Sequence, residues 1–81
     1  MVKLFCIWVR KELEQRVKTR VYIEYNKEED TIIVTIHSYL KPYRCTFTNI
    51  SIRIWEGVNS SDVANEVLKG YRHYVLKYFF K

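Results

Sequence analysis

VYIEYNKEEDTIIVTIH, residues 21–37, alternates with a period that no helix can use. Val21, Ile23 and Tyr25 fall on one side of an extended chain, Tyr22 and Glu24 on the other. Beyond the charged run Asn26-Lys27-Glu28-Glu29-Asp30, Ile32, Val34 and Ile36 again alternate with Ile33, Thr35 and His37. Successive side chains of a strand point to opposite faces. The stretch therefore predicts a β-hairpin closed by a five-residue loop. Ser38 to Pro42 reads as a second turn. Tyr43, Cys45 and Phe47 then alternate with Arg44, Thr46 and Thr48, which adds a third strand.

Both flanks switch to helical spacing. In residues 1–18, Val2, Cys6, Val9, Leu13 and Val17 line one side with Phe5 at its edge, and Glu12–Arg16 and Glu14–Lys18 are favourable i,i+4 pairs. Leu4, Ile7 and Trp8 lie off that face. Either this end of the helix is covered on two sides, or Lys3–Val9 is a strand and the helix begins later. Residues 59–81 read as a long amphipathic helix. Asn59 and Ser60 suit its N-cap, and Asp62 sits where a negative charge favours the helix dipole. Val63, Ala64, Val67, Leu68, Tyr71, Tyr74, Val75, Tyr78 and Phe79 share one broad stripe. Gly70, at the edge of the stripe, is either a close-approach point for a neighbouring backbone or a tolerated helix glycine. Residues 49–56 fit a strand through Ile50, Ile52 and Ile54, or a short helix stopped by Gly57. The order is α-β-β-β-α with room for a short helix before the last. It predicts a two-layer α+β fold in which two helices cover one face of a three-stranded antiparallel sheet.

Eighty-one residues make a single domain, 1–81, with no linker, repeat or low-complexity tract. A chain this short buries only about 60% of the surface its unfolded form exposes. The 48% hydrophobic and 16% aromatic content supplies core volume in compensation, and argues against disorder. The net charge of +5 favours acidic or polyanionic partners. The apolar run Leu4–Val9 is too brief for a signal sequence and far below a membrane span. The expectation is a protein of the reducing cytoplasm that enters no membrane, with a single disulfide left open for its two cysteines.

Chemistry-bearing residues are sparse. Glu28, Glu29 and Asp30 form the one tight acidic cluster, but carboxylates that share a solvated turn have no means of separating their pKa values for acid–base work. Cys6 and Cys45 sit on core faces and lack CxxC spacing, and His37 and His73 are not spaced as partner ligands, so no metal site or cofactor is expected. The two glycines, Gly57 and Gly70, build no phosphate-cradling loop. The reading is a non-enzymatic protein.

Binding is the better-supported class. Arg10, Lys11, Arg16, Lys18 and Arg20 gather on and just after the first helix, and Arg44 and Arg53 extend the basic set toward the open face of the sheet, where Tyr22, Ile33 and His37 offer rings and apolar surface. Cations beside aromatic rings are what a single-stranded nucleic acid needs. Leu76 and Phe80, four apart, meet on the otherwise polar face of the last helix. With Arg72 they make a candidate contact surface for a protein partner or for a second copy in a homodimer.

The helix–three-strand–helix order resembles the double-stranded RNA-binding domain in topology. That family aims a basic cluster at the start of its last helix across a groove. Asn59-Ser60-Ser61-Asp62-Val63-Ala64-Asn65-Glu66 holds no Lys or Arg here, and the hairpin turn lacks the family's Gly-His-Pro loop, so no RNA-binding residue carries over. A second resemblance spans roughly half the chain. Tyr43-Arg44-Cys45-Thr46-Phe47-Thr48-Asn49-Ile50-Ser51, Gly57, the run Ser60 to Val67, Tyr71-Arg72 and the ending Tyr78-Phe79-Phe80-Lys81 look like small uncharacterised proteins of Gram-positive phages and prophages. That resemblance implies a protein docking on a host or defence macromolecule, as anti-CRISPR proteins do. The expectation is an interaction protein with an acidic or nucleic-acid-associated protein partner. The alternative is a basic domain that binds DNA or RNA directly, and a structural homodimer module comes third.

Overall fold

The structure is a computed structural model and describes residues 1–38 and 41–79. The order is α1 (Val2–Val17), β1 (Val21–Asn26), β2 (Thr31–Ile36), β3 (Tyr43–Phe47), α2 (Ile50–Trp55) and α3 (Ser60–Phe79). The strands form an antiparallel sheet in the order β1-β2-β3. This is the α-β-β-β-α arrangement that the two periods predict. Register fixes the two faces. Val21, Ile36 and Tyr43 form one inward row, Ile23, Val34 and Cys45 the next, and Tyr25, Ile32 and Phe47 the third. Tyr22, Thr35 and Arg44, with Glu24, Ile33 and Thr46, occupy the outer face. A slip of one residue would exchange the two sets, so burial of one face holds the register.

α1 and α3 lie side by side over the inner face. Phe5, Val9 and Leu13 from α1 and Val63, Ala64, Val67 and Leu68 from α3 close the core on Val21, Ile32, Val34, Ile36 and Phe47. Lys3–Val9 is helical, not a strand. The i,i+4 pairs Glu12–Arg16 and Glu14–Lys18 do not form. Ser61 Oγ donates to Glu12 Oε1 at 2.7 Å and Arg16 Nη1 donates to Asn65 Oδ1 at 2.7 Å. The Ser61–Glu12 bond is part-buried between the helices and the Arg16–Asn65 bond is exposed at their edge; an exposed helix ion pair contributes only about 0.3–0.5 kcal/mol. The pairing that remains along α1 is Arg10–Glu14, at 3.9 Å. Two contacts four residues apart on both helices show that α1 and α3 run in the same direction. On that offset the end of α1 at Val17 falls level with Glu66, and the second half of α3 runs on beyond it. A 20-residue helix is about 30 Å long, which accounts for a molecule of 40 × 23 × 18 Å.

The ambiguous stretch 49–56 holds a helix, Ile50–Trp55, and no strand. Gly57, at φ +99°, ends α2 in a position that favours glycine. Its N–H reaches the Ile54 carbonyl at 3.1 Å and the Val58 N–H reaches Arg53 at 3.0 Å, the paired bonds of a Schellman ending. The hairpin loop is one residue shorter than expected, because Asn26 still pairs with Thr31. Asp30 is not the solvated loop carboxylate that the acidic cluster implies. It adopts a left-handed conformation at φ +51° and caps the start of α2 from across the fold. Ser51 Oγ donates to Asp30 Oδ2 at 2.6 Å, the Ser51 N–H to both carboxylate oxygens at 3.0 and 3.1 Å, and the Ile50 N–H to the Asp30 carbonyl at 3.0 Å. Asn49, in the cap position itself, makes no side-chain cap bond. Asn59 is the N-cap of α3 and shares a reciprocal capping box with Asp62, whose N–H donates to Asn59 Oδ1 at 2.9 Å while Asp62 Oδ2 accepts the Asn59 N–H at 3.1 Å.

Candidate interaction surfaces

Asp30 ties α2 to the β1–β2 turn, and Cys6 of α1 lies close enough to Tyr25 to add to the rise of its phenol. The first half of α1, that turn and α2 therefore share one end of the molecule. Leu4, Ile7 and Trp8 lie off the core face there and are each about half exposed. Trp8 is 52% exposed and Leu4 59%. Ile52 and Trp55 of α2, which packs against α1, add to this surface, with Trp55 84% exposed. Lys11 Nζ stands 5.4 Å from the Trp8 ring centre, a cation–π contact worth about 0.5–1 kcal/mol at an exposed site.

The opposite end is built from different chemistry. Thr19 Oγ1 donates to the His37 carbonyl at 3.2 Å and the His37 N–H to that of Arg20 at 2.9 Å, which places the α1–β1 turn beside the end of β2. Ile36 pairs with Tyr43, and the Tyr43 ring lies 5.9 Å from Tyr71 and 5.5 Å from Tyr74. Tyr78 continues the row at 4.8 Å from Tyr74, and the Tyr74 hydroxyl donates to the Lys41 carbonyl. Gly70 makes room for this cluster: a Cβ there would overlap the Tyr43 hydroxyl and stand 3.1 Å from its Cζ. The close approach is by a side chain, not a backbone. Along the flank of α3 that α1 no longer covers, Tyr71, Arg72, Val75 and Leu76 line an open groove of about 390 Å³.

Charge separates along the same axis. The described segments that meet at the tyrosine end, 15–23, 36–38, 41–44 and 67–79, contain no Asp or Glu. Glu28, Glu29, Asp30 and Glu56 stand at the tryptophan end with Lys27 and Arg53. The expected basic residues are consequently not one surface. Arg16, Lys18 and Arg20 belong to the tyrosine end, with Arg16 held by Asn65. Arg44 is on the outer face of the sheet opposite Thr35. Arg10 pairs with Glu14, Lys11 with Trp8, and Arg53 lies on α2 rather than on the sheet's open face. Arg72 and Leu76 line one groove, and Phe80 lies outside the described residues. Beside the hairpin, Glu24, Tyr25, Asn26, Lys27, Glu28 and Ile33 flank an open cleft of about 530 Å³ with charges of both signs.

The titratable groups are tuned by the fold. The hydrogen bond from the Ser51 hydroxyl, aided by the Ser51 N–H and the Tyr25 hydroxyl, holds the Asp30 carboxyl below the usual carboxylate range. Burial pushes both free thiols, Cys6 and Cys45, up and away from thiolate character, and it raises the Tyr43 phenol. His37 and His73 are exposed, and no three His, Cys, Asp or Glu side chains converge among the described residues. No helix among them is long and apolar enough to cross a membrane. The tyrosine row was within reach of the sequence as Tyr71, Tyr74 and Tyr78 at i, i+3 and i+7, but its partner Tyr43 was not. No family model matches the chain, and neither the curated proteins nor the solved structures hold a match to it.

Proposed function

We propose that this chain is a non-enzymatic binding protein that docks on another protein through the tryptophan-bearing surface of α1 and α2. One observation carries the reading: Trp8 and Trp55, with Leu4, Ile7 and Ile52, are exposed at the same end of the molecule. Tryptophan is enriched among the residues that dominate interface energetics. The exposed parts of the two indoles offer roughly 300 Å² of apolar area. At about 25 cal/mol per Å² this is roughly 8 kcal/mol before the costs of association. Those costs are about 4–15 kcal/mol, so the flanking Leu4, Ile7 and Ile52 must be buried too. Lys11 and Arg53 share this end with Glu28, Glu29 and Glu56, so the apolar centre, not net charge, selects the partner. The phage resemblance would make that partner a host or defence protein.

Capture with immobilised wild-type chain and with the Trp8→Ser/Trp55→Ser variant tests the proposal. A protein retained by the first and lost from the second, at unchanged circular dichroism, is expected. Equal capture by both chains refutes it. A concentration-dependent dimer in sedimentation that these substitutions abolish would make the partner a second copy instead, and overturn docking on a foreign protein.

A further inference from the structure

The tyrosine end asks for a different ligand. Six cations, Lys18, Arg20, Lys41, Lys69, Arg72 and Lys77, stand on segments that carry no acid, and all six are exposed. None of the six is ion-paired among the described residues; Glu66, close to Cys45, borders this end, while the acids of the hairpin turn and α2 lie at the far end. Among these cations runs a row of rings. Tyr43 and Tyr71 back the row, Tyr74 tilts against Tyr43 and stacks on Tyr71, and Tyr78 ends it at 46% exposure. Lys77 Nζ stands 5.7 Å from the Tyr78 ring centre. One position thus presents a cation for a phosphate and a ring for a base.

We propose that this end of the molecule binds single-stranded nucleic acid, with the cations following the phosphates and Tyr78 and its neighbours stacking on bases. A duplex keeps its bases stacked on one another and offers nothing to a tyrosine face, whereas a single strand exposes them. The acidic end repels the same strand, so the charge separation orients the ligand. The site is not the one that the first-helix arginines suggest. It is assembled where α3 outruns α1, from the α1–β1 turn, the start of β3 and the second half of α3. It is also distinct from the tryptophan surface, so either can fail without the other.

Fluorescence anisotropy with a labelled oligothymidylate of about 12 nucleotides is the test. Binding at roughly 50 mM salt is expected. Contacts to about four phosphates give a log–log salt slope near −3, a loss of about 50-fold at roughly 200 mM. Arg72→Glu with Lys77→Glu should weaken binding more than about tenfold and flatten the slope by about 1.4. Tyr78→Leu should cost about five-fold or more with the slope unchanged, because stacking releases no counterions. Arg53→Glu, at the other end, should matter far less. Absence of binding at low salt overturns the proposal. So does an Arg53→Glu loss equal to that of the α3 pair, or a slope that the α3 pair leaves intact.

Discussion

Replacing Gly70 by alanine sets two effects of opposite sign against each other. In an exposed helix the change is favourable by about 1 kcal/mol, because glycine carries the larger backbone entropy. Here the new methyl would meet the Tyr43 hydroxyl head on and press on Cζ, which lies 3.1 Å from the Cβ position. Tyr43 cannot swing aside freely. Its ring is flanked by Tyr71 at 5.9 Å and Tyr74 at 5.5 Å, and its backbone is paired with Ile36. Weakening two aromatic pairs costs about 0.5–1.5 kcal/mol each, and overpacking adds about 1–3 kcal/mol. Against the helix gain, the net is a destabilisation of about 1–5 kcal/mol. For a domain of this size 1 kcal/mol corresponds to roughly 4–8 °C, so urea melts and thermal circular dichroism should both register it. The double variant Gly70→Ala/Tyr43→Phe removes the atom that collides first. It should recover at least about 1 kcal/mol relative to the sum of the single changes, a coupling that only residues in contact show. A neutral or stabilising Gly70→Ala, or a cycle that closes with no coupling, would refute the close approach and with it the packing of Tyr43 on α3.

Two further outcomes follow from the caps. Asp30 is held below the usual carboxylate range by Ser51, so its contribution is complete above the unfolded-state carboxyl pKa and disappears as pH falls through the lower folded value. Between about pH 5 and pH 2 the wild-type urea midpoint should drop relative to that of Asp30→Asn; parallel curves would refute the capping role. Asn59→Ala removes one half of the reciprocal box at the start of α3 and should cost about 1 kcal/mol in chemical denaturation. Asp62→Ala added to it should cost less than it does alone, and strict additivity would show that the two bonds are independent.

The strand periods were legible because one face of the sheet is buried and the other is not. Val21, Ile23 and Tyr25 could only face inward together. The caps at Asn59 and Gly57 are local and could likewise be read. What the sequence concealed depends on distant segments. Asp30 looks like one of three solvated acids until Ser51, 21 residues on, arrives beneath it. Glu12 and Arg16 look like each other's partner until Ser61 and Asn65 offer better ones. The tyrosines of α3 sit on an apolar stripe that the pattern treats as core throughout, since a one-dimensional period cannot show where the covering helix stops. For the same reason Leu4, Ile7 and Trp8 left a choice between a second cover and a strand, and the answer is a helix with that side bare. The basic set was legible residue by residue, but its division between two ends rests on which segments the chain brings together.

The borrowed cap on α2 bears on the order of folding. Six residues are too few to hold a helix in water, because nucleation consumes most of what so short a segment can regain. Its first N–H groups find their acceptors only once the β1–β2 turn has put Asp30 in place. Hairpins close within about 1–10 μs, so the first two strands template the small helix, which then delivers Asn59 to the spot where α3 starts. A lesion at the tip of the hairpin would therefore be felt as a late-forming second half of the chain.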